Sequence, residues 1–129
     1  MRQTMEQRRA AHAWDCALAA KQALERGNGK DGYKDYINAA KGMPALIMNS
    51  GLMQVMAYNQ GKKEERYGLL SAHLRDWLRK SLGTPDDFRG FMQYLLKADP
   101  PEFQAITAEA FAWLRWLRQV APALEREDA

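Results

Sequence analysis

The chain lacks the features on which most secreted and membrane-spanning proteins depend. Its 129 residues contain one cysteine, Cys16, so no intrachain disulfide can form. The N-terminal residues MRQTMEQRRAAHAWD show no signal-peptide pattern, and together these absences predict a cytoplasmic location. The most apolar stretch, Met43 to Tyr58, has 16 residues and includes Asn49, Ser50 and Gln54. A bilayer span needs about 20 apolar residues, so this stretch predicts a buried helix instead.

Metal-binding residues are equally scarce. The two histidines are His12 and His73, and only His12 has a cysteine at helical spacing, Cys16. A closed zinc site needs four protein ligands, mostly cysteine and histidine. We therefore predict no metal site and no cofactor.

No arrangement of residues indicates catalysis. The adjacent carboxylates Glu64–Glu65 and Asp86–Asp87 fall in the first turns of predicted helices, where they complement the helix dipole. Adjacent helical residues diverge by about 100°, whereas acid–base catalysis needs two carboxylates converging on one cleft. The chain also has no glycine-rich phosphate loop and no strand–turn–helix elbow around Ser50. These absences predict a protein that is not an enzyme.

Strand patterns are missing as well. No segment alternates polar with β-branched residues, and the only valines are Val55 and Val120. Apolar residues recur instead every three or four positions, which is typical of amphipathic helices. The sequence predicts an all-α fold: a compact bundle of about six helices in a single domain over residues 1–129, with a polar tail at 125–129.

Glycine and proline predict where these helices begin and end. We expect the first helix at about 3–26 and a short second helix at 32–40, broken by Gly42. A third helix would start at Met43–Pro44 and continue to about Gln60, with Gly51 in its interior against a closely packed backbone. We expect a fourth helix at 64–82 that ends at Gly83. A fifth helix would have Thr84 as its N-cap, and a sixth would begin at Asp99–Pro100.

Charge gives a weak indication of function. Without residues 125–129 the body carries 18 basic and 13 acidic residues, a mild basic excess that permits a phosphate-rich partner. An ordinary solvated surface would give the same composition. The candidate nucleic-acid-binding residues are Arg9, Lys41, Lys62, Lys63, Arg75 and Arg79.

Two aromatic residues of the last helix leave an alternative open. Trp113 falls on its apolar stripe, whereas Phe111 and Trp116 fall off it. They form either an exposed patch for a protein partner or a second buried face.

One segment resembles a known family. It comprises Tyr33 and Tyr36, then AAKGMPALI at residues 39–47, then NSGL at residues 49–52 with Gln54 and Ala57. These residues resemble the small helical subunit of the type III-B CRISPR effector, the Cmr complex, whose pattern reads K-G-x-P-x-x-I followed by N-G-L-x-Q. Here Ser50 separates the asparagine from the glycine.

The resemblance implies a non-catalytic structural role in antiviral defence. In that family, copies of the small subunit stack into a short filament beside backbone subunits, and the groove between them holds guide RNA paired with target RNA. Cleavage belongs to the backbone subunits and nucleotide chemistry to the large subunit. The implied partners are these Cmr subunits, neighbouring copies of the chain, and the RNA backbone.

Two other functions remain open at this point. A helical DNA-binding regulator would need a recognition helix after a tight turn, and the fourth helix is the one candidate. The small subunit of the related type III-A complex is also helical.

Overall fold

The computed structural model describes residues 2–28 and 30–127, and within them the chain forms six α-helices and no strand. The helices are α1 (Met5–Asn28), α2 (Lys30–Ser50), α3 (Leu52–Gly61), α4 (Glu65–Leu82), α5 (Phe88–Lys97) and α6 (Pro100–Glu127). This confirms the predicted all-α bundle. No helix in this part of the chain is long and apolar enough to cross a membrane.

The two longest helices, α1 and α6, pack against each other, and α2 and α4 pack on both of them. The buried face of α1 consists largely of alanine, with Ala13, Ala17 and Ala20 fully inaccessible to solvent. Small side chains let the helix backbones approach closely, and the fully buried Trp113 of α6 supplies bulk to the core. The first turn of α1 is closed by a reciprocal capping pair in which Thr4 and Gln7 bond each other's backbone N–H.

The tyrosines of the motif hold α2 in place. Both Tyr33 and Tyr36 are completely buried, and their hydroxyls reach other helices. Tyr33 donates to the Ala121 carbonyl of α6 at 2.7 Å, and Tyr36 bonds His73 Nδ1 of α4 at 2.8 Å. A buried hydroxyl without a partner would destabilise the fold, so both tyrosines fix the position of α2.

The predicted break at Gly42 is wrong, since α2 runs unbroken from Lys30 to Ser50. Pro44 therefore lies inside this helix, where proline costs about 3 kcal/mol relative to alanine. Ala40, Met43 and Ile47 are all buried in the core around it. Their tertiary burial outweighs the local preference for a helix end.

The real break is at Gly51, which was predicted to lie inside a helix. Its φ of 86° and ψ of 156° belong to a backbone region that almost only glycine adopts. Its N–H donates to the Ile47 carbonyl at 2.8 Å, and its own carbonyl accepts from Val55 at 3.2 Å. A Cβ here would meet nothing within 4 Å, so close packing is not the reason for the glycine. Gly51 is required because the chain turns from α2 into α3 at one residue.

Two of the three predicted boundaries in the second half are confirmed. Gly83 ends α4 in the left-handed conformation (φ 78°), and Asp99 Oδ1 accepts from the Glu102 N–H at the start of α6. The predicted cap at Thr84 is wrong, because Asp87 caps α5 by accepting from the Gly90 N–H. Thr84 is instead buried, with no partner for its hydroxyl.

The off-stripe aromatics of α6 are neither free nor fully buried. Phe111 and Trp116 pack at the edge of the core, and Trp116 Nε1 donates to Glu6 of α1 at 3.0 Å. The predicted polar tail is helical as far as Glu127. Its last two positions, 128 and 129, lie outside the described residues, as does position 29 between α1 and α2.

Candidate nucleic-acid interface

Basic and aromatic side chains meet where α3 passes into α4. Gly61 ends α3, and Lys62 is its C-cap in an extended conformation, with its N–H bonded to the Asn59 carbonyl at 3.2 Å. Lys63 follows in the link, and Arg66 lies in the first turn of α4. We define the junction site as Tyr58, Lys62, Lys63, Arg66 and Tyr67.

Two tyrosines organise the cations of the junction site. Tyr58 and Tyr67 meet edge to face with their ring centroids 6.2 Å apart. The Lys62 Nζ lies 4.6 Å from the Tyr58 centroid and 5.9 Å from the Tyr67 centroid, and the Arg66 guanidinium carbon lies 4.7 Å from the Tyr67 centroid. Aromatic faces attract cations through their quadrupole. A hydrogen bond to Tyr58 raises the pKa of Lys62, so it is charged at neutral pH.

Two shallow cavities border the junction site. One, of about 350 Å³, lies between α2 and α4, with Asn38, Gly42 and Tyr67 among its lining residues. The other, which we call the side pocket, has about 330 Å³ and is lined by Leu46, Ser50, Gln54, Val55 and Tyr58. Leu46, which is 44% exposed, lines both cavities. The junction site therefore belongs to a surface with room for a ligand.

The predicted lysines are the best placed of the candidate residues. Lys41 and Lys63 are exposed, and neither forms an ion pair within the described part of the chain. Lys41 is next to Gly42, which lines the larger cavity. Lys62 contacts tyrosine rings rather than a carboxylate. Arg66 is nearby with only a long ion pair, 3.7 Å to Asp35, and belongs with these lysines although sequence reasoning left it out.

Arg75 and Arg79 lie apart from the lysines. Arg79 lies thirteen positions after Arg66 in α4, which at 1.5 Å per residue is about 20 Å. Arg79 is half exposed and pairs with Asp86 at 3.1 Å. Arg75 is 8% exposed, its Nε donates to the Asp86 carbonyl at 2.8 Å, and burial lowers its pKa. Arg75 thus holds the α4–α5 link, and this geometry favours a structural role for it.

Arg9 is also committed to the fold. Its Nε and Nη2 donate to both carboxylate oxygens of Glu109 at 2.7 and 2.9 Å, and Nη1 pairs with Glu6 at 3.0 Å. Trp77 Nε1 donates to the same Glu109 at 3.0 Å. Burial acts to raise the pKa of Glu109, but the hydrogen bonds from Arg9 and Trp77 dominate and the pKa falls. RNA contact by Arg9 stays a prediction that this geometry does not favour.

A cysteine, a histidine and an aspartate meet between α1 and α4. His12 Nε2 lies 2.7 Å from Asp76 Oδ2, and Cys16 Sγ lies 3.6 Å from His12 Nδ1. The Trp113 indole, which can only donate, bonds His12 Nδ1 at 2.9 Å, so the proton of the neutral ring is on Nε2. Burial raises the pKa of the Cys16 thiol to about 12. The thiol stays protonated, and neither this trio nor any other group of His, Cys, Asp and Glu side chains among the described residues is arranged to hold a metal ion.

The whole chain resembles one family of proteins. The profile of the family described as CRISPR-associated protein (Cas_Cmr5) matches residues 5–124. This chain belongs to the Cmr5 family. The resemblance seen in the motif segment is thereby confirmed, and the chain is a CRISPR-associated subunit of the Cmr (type III-B) kind.

A solved structure agrees at the level of fold. The X-ray crystal structure of a CRISPR-associated Cmr5 family protein from Thermus thermophilus superposes with a TM-score of 0.74 at 24% identity. The match covers 95% of this chain and 98% of that one. The six-helix bundle is thus shared with a Cmr5 family protein of nearly the same length.

Sequence reasoning missed the aromatic half of the junction site. In the sequence, Tyr58 marks only the end of the apolar stretch, and the helical spacing of Tyr67 with Leu70 and Leu74 predicts that Tyr67 faces the core. A signal was present: Tyr58 precedes Lys62 by four positions, and Tyr67 directly follows Arg66. Tyr58 and Tyr67 lie on two different helices, so helical spacing in the sequence does not predict that their rings meet.

Proposed function

We propose that this Cmr5-family protein is a non-catalytic structural subunit of a cytoplasmic type III-B effector complex that takes part in antiviral defence. It contacts the backbone of the guide–target RNA duplex. The observation that carries this proposal is the junction site, where neither Lys62 nor Lys63 forms a salt bridge with a described residue. Such cations bind phosphate without reading sequence, and in an RNA-guided complex base pairing does the reading.

The state of the ionisable groups in the interior of the described structure supports a non-catalytic role. The Cys16 thiol is buried and stays protonated, and the His12 nitrogen closest to it already accepts a hydrogen bond from Trp113. Glu109 is neutralised by Arg9. The ionisable groups of the interior are thus engaged in holding the helices together.

Exposed apolar side chains on the surface of the bundle are candidates for contact between copies. Met48 is 75% exposed, Leu96 70% and Leu82 42%. Burial of such side chains against a partner would remove apolar surface from water. We propose that they contact neighbouring copies or the other Cmr subunits in the assembled filament.

The first experiment is affinity purification of the tagged protein from its native cell, with the co-eluting proteins and RNA identified. We expect Cmr backbone and large subunits together with a guide RNA. Recovery of the protein with neither subunits nor RNA would contradict the proposal and favour the alternative of a DNA-binding regulator.

Charge reversal then tests the junction site. The double variant Lys62→Glu/Lys63→Glu should weaken binding of guide–target duplex by the complex about equally for every sequence. Replacing both lysines by alanine should lower the slope of log affinity against log salt by about two, because each lysine neutralises about one phosphate.

The matched control is Arg115→Glu/Arg118→Glu, which changes the net charge equally at exposed positions of α6. An equal decrease of affinity in both double variants would mean that overall charge, and not the junction site, attracts RNA.

A further inference from the structure

The side pocket has the composition of a site for a flat aromatic ligand. Leu46 and Val55 supply apolar walls, the Tyr58 ring supplies an aromatic surface, and Ser50 and Gln54 supply hydrogen-bonding groups. Its volume of about 330 Å³ is at the lower end of the range for small-molecule sites, about 300–1,000 Å³. Tyr58 is 51% exposed, so its ring is accessible without rearrangement of the core.

Positive charge lies directly beside this pocket. The Lys62 Nζ is 4.6 Å from the centroid of the Tyr58 ring, and Lys63 is exposed next to it in the chain. A ligand that places a planar ring on Tyr58 would therefore bring an attached anionic group close to the Lys62 ammonium, with the exposed Lys63 next in the chain. The chemistry that satisfies both requirements is a nucleotide, with its base on the aromatic ring and its phosphates at the lysines.

We propose that the side pocket binds an unpaired nucleobase of single-stranded RNA, stacked on Tyr58 and hydrogen-bonded at its edge by Ser50 or Gln54. Paired bases are stacked within their own helix and are not available to a pocket on a protein. The pocket therefore distinguishes single-stranded RNA from duplex, whereas Lys62 and Lys63 attract both. This inference deepens the proposed function, on which it rests for the presence of RNA at the junction site.

Affinity measurements on the full chain and on the purified complex test the inference. Fluorescence anisotropy would compare a labelled single-stranded oligouridine with an RNA duplex of equal length. Tyr58→Leu should weaken binding of the single strand by about 5- to 150-fold, the usual range for losing one stacked base, and should lower duplex affinity by a clearly smaller factor, because Lys62 loses only its contact with the ring. Tyr58→Phe, which keeps the ring, should retain single-strand affinity.

The matched control is Trp14→Leu, which removes a comparably exposed aromatic ring (43%) from α1. It should change neither affinity. An equal decrease of single-strand affinity in Tyr58→Leu and Trp14→Leu would contradict the inference.

Photo-crosslinking locates the base. A single strand carrying 5-iodouridine should crosslink to the tryptic peptide 42–62, whose single aromatic residue is Tyr58. Tyr67 falls in a different peptide, 67–75, so the two rings are distinguished. Crosslinks confined to other peptides would overturn the inference.

The outcomes separate the inference from the proposed function. Binding of duplex but not of single strands would leave the proposed function intact and refute the nucleobase site. Binding of neither by the assembled complex would refute both. If Tyr58→Leu reduces co-purification of other subunits and leaves RNA affinity unchanged, the side pocket is a protein contact and the inference is wrong.

Discussion

At the scale of single residues, two of the six basic residues that sequence reasoning assigned to a nucleic-acid partner, Arg9 and Arg75, bind within the fold instead. Arg9 binds Glu109, a residue 100 positions away, with two hydrogen bonds, and Trp77 donates to the same carboxylate. The side chains of Arg9 and Glu109 are only 18% and 10% exposed. Removing one partner of a largely buried ion pair is strongly destabilising, because the remaining charge is left without compensation.

We therefore expect Glu109→Ala to lower the free energy of unfolding by about 3 kcal/mol, because Arg9 and the Trp77 indole both lose their acceptor. Urea denaturation followed by circular dichroism measures this change. The control is Glu6→Ala, which removes the exposed carboxylate (61%) that pairs with Arg9 and accepts from Trp116. Because these contacts are exposed to solvent, the loss should be less than about 1 kcal/mol. A similar decrease in the free energy of unfolding in the two variants would show that the buried Arg9–Glu109 pair stabilises the fold no more than the exposed contacts of Glu6 do.

The partly buried histidine His73 predicts how stability changes with pH. Burial lowers its pKa from 6.5 to about 4, and its Nδ1 bonds the Tyr36 hydroxyl. Between pH 6.5 and 4 the unfolded chain holds a proton on this ring that the folded chain does not. Stability should therefore fall as pH decreases through this window, by at most about 1.4 kcal/mol per pH unit from this group.

NMR titration of the His73 ring gives the direct measurement, and His73→Gln should flatten the pH dependence of unfolding. A titration midpoint near 6.5 in the folded protein would contradict the expected burial.

At the scale of the helices, the position of the α2–α3 break depends on one glycine. Gly42 lies within α2 at an exposed position, whereas Gly51 has a positive φ and joins the two helices. Neither has an atom within 4 Å of where a Cβ would be. The two positions therefore differ in backbone conformation and not in available space.

The same substitution should have opposite effects at these positions. Gly42→Ala should stabilise the protein by about 0.5–1 kcal/mol, because alanine favours a helix interior. Gly51→Ala should destabilise it by about 1–3 kcal/mol, because alanine rarely adopts this conformation. Thermal unfolding of both variants measures the difference. Destabilisation by Gly42→Ala would indicate that α2 is broken at Gly42, as the sequence predicted.

At the scale of the whole molecule, one hydrophobic cluster includes residues from all six helices. Cys16 lies in it, 7% exposed, with a pKa raised by burial to about 12. A thiol in this state reacts only when the structure around it opens.

Labelling of Cys16 by a thiol reagent should therefore be negligible in the native protein, and in urea it should rise together with the loss of helical circular dichroism. The coincidence of the two transitions is the mark of a single cooperative unit and tests the predicted single domain. Labelling that precedes the loss of helix would show that α1 opens independently.

Periodicity and end signals in the sequence were sufficient for the class of fold and for several boundaries. Helical spacing of apolar residues predicted the bundle, and Gly83 and Asp99 ended and began their helices as expected, because both act through the backbone of their own turn. The motif around AAKGMPALI likewise indicated the family that the profile match confirmed.

The tertiary structure alone decided the α2–α3 break and the composition of the candidate site. Core packing carried α2 through Gly42 and Pro44, since the burial of Met43 and Ile47 outweighs local preference. Arg9 pairs with Glu109, 100 positions away, and Arg75 bonds the Asp86 carbonyl of the α4–α5 link, so neither belongs to the exposed basic set. The contact of Tyr58 with Tyr67 forms the aromatic surface. Such contacts depend on how the helices are placed relative to one another, and the apolar periodicity of a single helix therefore does not predict them.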